Sequence, residues 1–196
     1  MSQFTQRGFV ACRKIGGGEP VLKLIEVSAV ANEAYFIGDA VTLGASGKCR
    51  PLKAASTTAP LGVIQALFSK SNNRPKPLAL NLPTNGPFLT SGTAGYALVN
   101  VDPNQTYVVQ LGGNVVQAGI GAAYKVSAGA PNTSTGLSGQ ELGSTASTSA
   151  DADAQWQIVG FAPVEWIEAN GFPTSIAAKA LVEVKMVGGI FGGNPV

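Results

Sequence analysis

The stretch TAGYALVNVDPNQTYVVQ, from Thr93 to Gln110, decides how the chain folds. The apolar run over 96–101 is followed by turn-forming residues at 102–105 and then by a second β-prone run over 106–110. β-Branched and aromatic side chains suit a pleated, half-buried surface, which favours a strand on each side. Proline presets φ, while Asp and Asn bond their own backbone, which favours a turn between the strands. The stretch therefore predicts a β-hairpin.

The rest of the chain repeats this pattern of short strand and turn. Short runs separated by Gly, Asp and Ser, at a spacing of about 8–12 residues, are typical of a sandwich or barrel. Helix is expected at most for about one turn over Thr174–Lys179, and Val164–Ile167 is predicted to be extended. We therefore predict an all-β fold, an antiparallel β-barrel or sandwich of a β-tulip-like kind with long loops and flexible termini. The predicted strands lie at 21–30, 40–43, 48–53, 60–67, 122–126, 155–161 and 180–187.

The composition suggests three parts along the chain. Residues 1–20 are predicted to form an N-terminal arm, because Gly16-Gly17-Gly18 makes a flexible joint before Glu19-Pro20. The arm either lies across a neighbouring subunit or is a frayed terminus. Residues 21–187 form the β-rich body, and 188–196 form a C-terminal tail whose apolar residues, on a glycine tether, could dock on a partner.

Two segments of the body are predicted to be exposed. Ser69 to Pro87 is rich in Pro and Asn, and proline there excludes helix and confines any strand to an edge. This excursion is either a sub-division of the body or a binding loop. Residues 127–154 consist almost wholly of small and polar residues, which predicts a flexible surface loop.

Charge is scarce and nearly balanced. Charged residues make up 12% of the chain, about half the usual share, and the net charge is +2. A low-charge surface suits a protein that is packed against others. Basic residues are spread out, with small groups at Arg13-Lys14 and from Lys70 to Lys76, so solvated loops are favoured over a phosphate-binding patch.

The residues that common active sites need are missing or scattered. The chain has no His, which removes the commonest general base and most zinc sites. Glu165 and Glu168 are predicted to lie in a solvated turn rather than to form a glycosidase pair. Asp151 and Asp153 have the spacing of some calcium loops, but the glycine and the twelfth-position Glu are absent. We therefore predict that the protein is no enzyme and has no catalytic, cofactor-binding or metal-binding residues.

Cysteine usage and the N-terminus bear on location. Cys12 and Cys49 are not in C-x-x-C spacing, so two free buried thiols are favoured, with a disulfide possible in an oxidising environment. The N-terminus lacks the apolar region of a secretory signal, and no window is long enough for a membrane span. We expect a protein that is made in, and stays in, a cytoplasm until it is released.

Taken in order, several pieces of the chain resemble capsid decoration proteins, or head cement proteins, of tailed bacteriophages. They are GDAVTL…PLGVIQA at Gly38–Ala66, DPNQTYVVQ at Asp102–Gln110, NTSTGLSGQEL at Asn132–Leu142, and WQIVGFAP…LVEVKM at Trp156–Met186. NTSTGLSGQEL is the most specific of them. The arm and the Pro-rich excursion have no counterpart in this resemblance.

The resemblance implies a structural protein on the outside of an icosahedral virion, assembled in the host cytoplasm. Its partners would be the major capsid protein and itself, as a homotrimer at three-fold and quasi-three-fold positions, with no membrane and no direct nucleic-acid contact. It would stabilise the expanded lattice by binding it and not its precursor. The alternative is a carbohydrate-binding fibre or adhesin module of a virion, for which exposed Tyr and Trp residues of a sandwich would serve.

Overall fold

The structure, a computed structural model, describes residues 8–53, 58–78, 87–113, 119–147, 155–169 and 181–187. These parts of the chain form β-strands and a single short helix, α1 (Val164–Ala169). The strands are β1 (Val10–Lys14), β2 (Leu22–Glu26), β3 (Ala40–Leu43), β4 (Cys49–Pro51), β5 (Gly62–Ser71), β6 (Arg74–Pro77), β7 (Gly95–Asn100), β8 (Gln105–Gln110), β9 (Ala123–Tyr124), β10 (Val126–Ser127), β11 (Glu141–Leu142), β12 (Trp156–Phe161) and β13 (Leu181–Met186).

The strands form two main antiparallel sheets. The first sheet has the order β1-β8-β13-β12-β9, and the second has the order β2-β7-β5-β3-β4, with β6 paired to β5. A separate small ladder joins β10 to β11. The prediction of an all-β antiparallel fold is confirmed, and its form is that of a sandwich.

The predicted hairpin over 93–110 is wrong in its pairing, although both of its strands exist. β7 pairs with β2 and β5 in the second sheet, whereas β8 pairs with β1 and β13 in the first. The turn between them is a corner at which the chain passes from one sheet to the other. There the backbone N–H of Asn104 donates to Asp102 Oδ1 at 2.9 Å. The same turn chemistry serves a corner or a hairpin, since it fixes the local backbone and not the partners of the strands.

Part of the predicted arm belongs to the body. β1 pairs with β8 from Val10 opposite Val108, and Phe9 is fully buried in the core. Glycines 16, 17 and 18 all have positive φ, a conformation that costs glycine little, and they reverse the chain between the two sheets. The arm is therefore wrong for residues 9–14, while residues 1–7 and the tail at 188–196 lie outside the described residues.

The Pro-rich excursion begins as a hairpin. β5 runs on to Ser71, the chain turns at Asn72 (φ 49°) and Asn73 (φ 58°), and β6 returns beside β5. Two successive residues with positive φ are the mark of a type I′ turn, whose twist matches that of the strands. The proline-bearing strand β6 lies at an edge, as proline predicts. Residues 79–86 lie outside the described part.

Two further expectations are corrected. Much of the Ser/Thr/Gly-rich segment is packed into the body, since it contributes β10 and β11, and its Ser138 and Leu142 are fully buried. Its residues 148–154 are outside the described range, as is Thr174–Lys179. Val164–Ile167 is helical rather than extended. That helix covers apolar side chains of the first sheet, so packing overrides its β-branched residues.

Three apolar clusters show how the layers stack. The largest lies between the sheets and joins Tyr107 and Trp156 of the first sheet to Ala40 and Val63 of the second. A second cluster lies on the far face of the second sheet, where Tyr35 and Leu89 cover its strands. A third lies on the outer face of the first sheet beneath α1. The first sheet is thus covered on both faces.

Candidate functional site: a polar junction and an uncovered sheet face

Most of the buried carboxylates hold the fold together by pairing with cations. Glu183 on β13 is 2% exposed and accepts bonds from both Arg13 Nε (2.7 Å) and Arg13 Nη2 (2.8 Å). Asp102 at the corner pairs with Lys14 Nζ at 2.8 Å. The predicted basic group Arg13-Lys14 is therefore an anchor for β1. It lies on a strand and not in a solvated loop.

Glu33 makes a similar anchor beside the second sheet. Its carboxylate is buried and is held by Arg50 and, at 2.9 Å, by Lys53 Nζ. The hydrogen bond from Arg50 is the main reason that the pKa of Glu33 lies below its usual value. The negative charge of Glu33 is therefore balanced by two cations of the same chain.

A polar junction lies where the second sheet meets the 127–142 segment. It borders an open pocket of about 290 Å³, whose lining includes Asn32, Phe36, Asp39, Lys53, Pro131 and Gln140. Asp39 Oδ2 accepts a bond from the backbone N–H of Phe36 at 2.8 Å, and the Asp39 carboxyl is also bonded to the side chain of Ser138. Burial raises the pKa of Asp39 to about 7.

Gln140 closes the junction with its side-chain amide. Its Oε1 accepts from the backbone N–H of Ala40 at 2.7 Å, and its Nε2 donates to the carbonyls of Leu52 at 2.9 Å and Ala40 at 3.3 Å. These bonds join β3 and β4 to a segment about a hundred residues away. The pocket is therefore walled by groups that are already bonded to each other, and its described lining offers no nucleophile paired with a free base.

A different surface is left open on the second sheet. Cross-strand partners share a face, so the pairs Leu24–Leu98, Ala66–Leu98 and Phe68–Tyr96 place all of these side chains on one side. Asn100 lies on the same side, opposite Val63, and Val63 packs against the first sheet. This face of the second sheet therefore extends beyond the part that the first sheet covers. We call this extension the overhanging face, and it consists of Leu22, Leu24, Ala66, Phe68, Tyr96 and Leu98.

The overhanging face is apolar and exposed. Leu22 is 44% and Leu24 47% exposed, and the other four side chains of the face are partly exposed. Single exposed apolar residues are ordinary, but a group on one face indicates a contact surface. The sequence signal was LKLIE at 22–26, in which leucines at 22 and 24 and isoleucine at 25 put apolar groups on both sides of one strand.

Positive charge borders the overhanging face. Lys48 Nζ and Lys70 Nζ both lie 2.8 Å from Glu26 Oε1, so two cations share one carboxylate. Lys70 also lies 5.9 Å from the centre of the Tyr96 ring, and the Tyr96 hydroxyl donates to the Asn73 carbonyl at 2.9 Å. These contacts fix the β5–β6 hairpin against β7 and leave the rim with an excess positive charge.

The aromatic residues that a sugar-binding surface would need are mostly inside. Tyr35, Tyr107 and Trp156 are fully buried, and Tyr124 is 6% exposed. Trp166 packs on the cluster beneath α1. The exposed Tyr and Trp side chains that a carbohydrate-binding surface would use are therefore mostly missing, and Tyr96 alone among the described tyrosines is partly exposed.

The remaining predicted features fall in several places. Cys12 on β1 and Cys49 on β4 are both free, which confirms the favoured prediction of unpaired thiols, although Cys12 is only partly buried. Glu165 and Glu168 are solvated, as predicted, but on α1 rather than in a turn. Asp151 and Asp153 lie outside the described residues.

No family model, curated protein or solved structure matches the chain. Within the described ranges, no three His, Cys, Asp or Glu side chains gather in a group that could hold a metal ion. No helix in those ranges has the length and apolar character needed to cross a membrane.

Proposed function

We propose that the protein is a virion structural protein that decorates the expanded capsid of a tailed phage and bridges neighbouring major capsid proteins. The proposal starts from the resemblance of the pieces at 38–66, 102–110, 132–142 and 156–186. In this role the protein acts by binding alone, because a ligand that binds the expanded lattice and not its precursor stabilises the lattice by mass action.

The observation that carries the proposal is the overhanging face. Most buried carboxylates of the β body are paired with cations of the same chain, yet leucines on one sheet face stay exposed, and such a face suits contact with another protein. A carbohydrate-binding role receives no such support, since most of the aromatic rings are inside.

Binding to phage heads tests the proposal directly. Purified protein is added to expanded and to unexpanded heads that lack it, and the bound protein is counted by quantitative mass spectrometry. We expect saturable binding at hundreds of copies per expanded head and little binding to unexpanded heads. A handful of copies per purified virion would instead indicate a tail or fibre part and overturn the proposal.

The contribution of the N-terminus needs a deletion that respects the fold. Removing residues 1–18 would take away β1 and the buried Phe9, so loss of binding could reflect unfolding. Removing residues 1–7 leaves every described contact in place. If the arm contacts the capsid, this shorter deletion weakens binding to expanded heads, and unchanged affinity would show that the arm is not used.

A further inference from the structure

Basic side chains gather at the end of the second sheet that carries the overhanging face. Lys48 and Lys70 both reach Glu26, whose side chain lies on the same side of the sheet as the exposed leucines. Arg74 and Lys76 lie, by their register, on the reverse side of the β5–β6 hairpin. These four cations and one acid give this end of the sheet a charge of +3, whereas the whole chain carries +2. Positive charge is therefore concentrated beside the overhanging face.

The overhanging face and its rim together define the chemistry of a ligand. The exposed leucines are stabilised by apolar side chains that remove them from water. The rim has two ammonium groups for a single carboxylate, so it favours a ligand that brings a further carboxylate. A ligand that satisfies both parts carries apolar and acidic side chains together.

The described surface of this chain does not supply such a ligand. Its exposed acids are Glu19, Glu165 and Glu168. Glu165 and Glu168 lie on the six-residue helix α1, where Val164 is the one exposed apolar residue, and Glu19 lies ahead of β2. Two copies joined by their overhanging faces would bring two basic rims to the same interface. A different protein is therefore favoured over a second copy.

We propose that the overhanging face binds an acidic segment of another protein. Apolar side chains of that segment cover Leu22, Leu24 and Leu98, and its carboxylates pair with Lys48 and Lys70. This deepens the proposed function and rests on it for the expectation that another protein lies against this face. It adds the chemistry of the segment that makes the contact. Opposite charges at one end of the face also fix the direction in which the segment lies.

A single-stranded nucleic acid fits this surface less well than an acidic segment does. Proteins that bind single strands stack the bases on open aromatic rings. Here the most exposed side chains are leucines, and Lys70 Nζ lies 5.9 Å from the centre of the Tyr96 ring, so one face of that ring is already occupied. The surface lacks the aromatic platform that base stacking needs.

The test uses three capped peptides of equal length as probes, with alternating Leu and Glu, alternating Leu and Lys, or alternating Ser and Glu. Each peptide carries a fluorescent label, and its binding to the full chain is followed by anisotropy at low and high salt. We expect the Leu–Glu peptide to bind at least about tenfold more tightly than either of the others. Its affinity should fall as salt rises, because exposed charges are screened. Equal binding of the Leu–Glu and Leu–Lys peptides would overturn the proposal.

Variants of the rim then locate the preference on the protein. Lys48→Gln with Lys70→Gln should abolish the preference for Leu–Glu over Leu–Lys, whereas Glu26→Gln frees both lysines and should tighten Leu–Glu binding several-fold. Leu24→Ser should weaken both peptides that contain leucine. All four positions are at least partly exposed, so the fold is expected to persist, and circular dichroism checks it. Lys125→Gln, between β9 and β10, is the matched control. A preference that survives the lysine changes contradicts the proposal.

Other occupants of the face give distinct results. Tighter binding of an oligothymidylate or of phosphatidylserine vesicles than of the Leu–Glu peptide would show that the face takes a different class of ligand. Self-association in sedimentation velocity that Leu24→Ser abolishes would identify the occupant as a second copy. Either result removes the proposal.

The outcome is separable from that of the proposed function. If expanded heads bind the unmodified chain and the double lysine variant equally well, the acidic segment is wrong and the decoration role stands. If the peptides and variants behave as expected but heads are not bound, the preference of the overhanging face stands and the decoration role is removed.

Discussion

The two sheets carry similar apolar side chains, but they differ in how much of their apolar faces is covered. The first sheet has apolar residues on both faces, and both are covered, one by the second sheet and the other by α1. The second sheet is also apolar on both faces, but one of them is covered only at its Ala40 and Val63 end. The difference shows that the leucines of the overhanging face do not belong to the buried core. They lie where the described part of the chain packs no further layer over the second sheet.

Replacing Trp156 with Ala is the strongest way to probe the covered sheet. Trp156 is fully buried, with its ring 4.5 Å from that of Phe9 and 5.6 Å from that of Tyr107. Loss of so large a side chain leaves a cavity, so we expect the free energy of unfolding to fall by about 3–5 kcal/mol. Urea unfolding measures it.

The matched change on the open face is Leu24→Ser. Because Leu24 is nearly half-exposed, its loss should alter stability by about 0.5 kcal/mol or less at concentrations where the protein is monomeric. Equal losses at Trp156 and Leu24 would mean that the overhanging face is packed after all, and the contrast between the sheets would fail.

The polar junction between the second sheet and the 127–142 segment adds a dependence on pH. The pKa of Asp39 is raised from 3.8 to about 7, chiefly because the carboxyl is buried. Between these values the folded protein holds a proton that the unfolded chain has lost, so the free energy of unfolding falls as pH rises from about 4 to 7 and then levels off. One unit of pKa corresponds to about 1.4 kcal/mol, so the shift of about three units corresponds to a change on the order of 4 kcal/mol across the whole window.

Asp39→Asn isolates this contribution. The amide oxygen can still accept from the Phe36 N–H and from Ser138, but the side chain no longer titrates. We expect the variant to lose the decline between pH 4 and 7. The lowered pKa values of Glu26 and Glu33 act below this window and in the opposite sense. An unchanged decline in the variant would place its source elsewhere.

Gln140→Leu tests whether the junction holds the covered end of the second sheet. The change is close in volume but leaves the Ala40 N–H without its acceptor and removes the bond to the Leu52 carbonyl. An unsatisfied buried donor costs about 1–3 kcal/mol, and we expect a loss of that size in urea unfolding. Gln157→Leu, whose amide donates to Gly121 in an exposed setting, is the control and should change little.

The sequence predicted the strands far better than their partners. The strands β12 and β13, for example, can be recognised from local β propensity and from the alternation of apolar and polar residues. The split of β7 and β8 between two sheets could not be predicted, because Asp102-Pro103-Asn104 sets the turn and not which distant strand each run will meet. The role of Gln140 could not be predicted for the same reason, since the backbone groups to which it bonds lie 88 and 100 residues away in the sequence. The overhanging face exists because the first sheet covers only part of the second, and the extent of that cover cannot be predicted from a local sequence pattern.

The smallest expected effect lies at the tip of the β5–β6 hairpin, on the uncovered side of the comparison. Asn73 has φ of 58°, in a region where glycine is at ease and other residues are strained. Asn73→Gly keeps the backbone carbonyl that accepts from the Tyr96 hydroxyl and completes the Asn-Gly pair typical of a type I′ turn. We expect a gain of about 0.5 kcal/mol in thermal or urea unfolding, and a loss of about 1 kcal/mol for Asn73→Ala, which must hold positive φ with a Cβ. Equal stability of the Gly and Ala variants would show that the tip does not hold this turn, and with it the outer end of the overhanging face would lose its support.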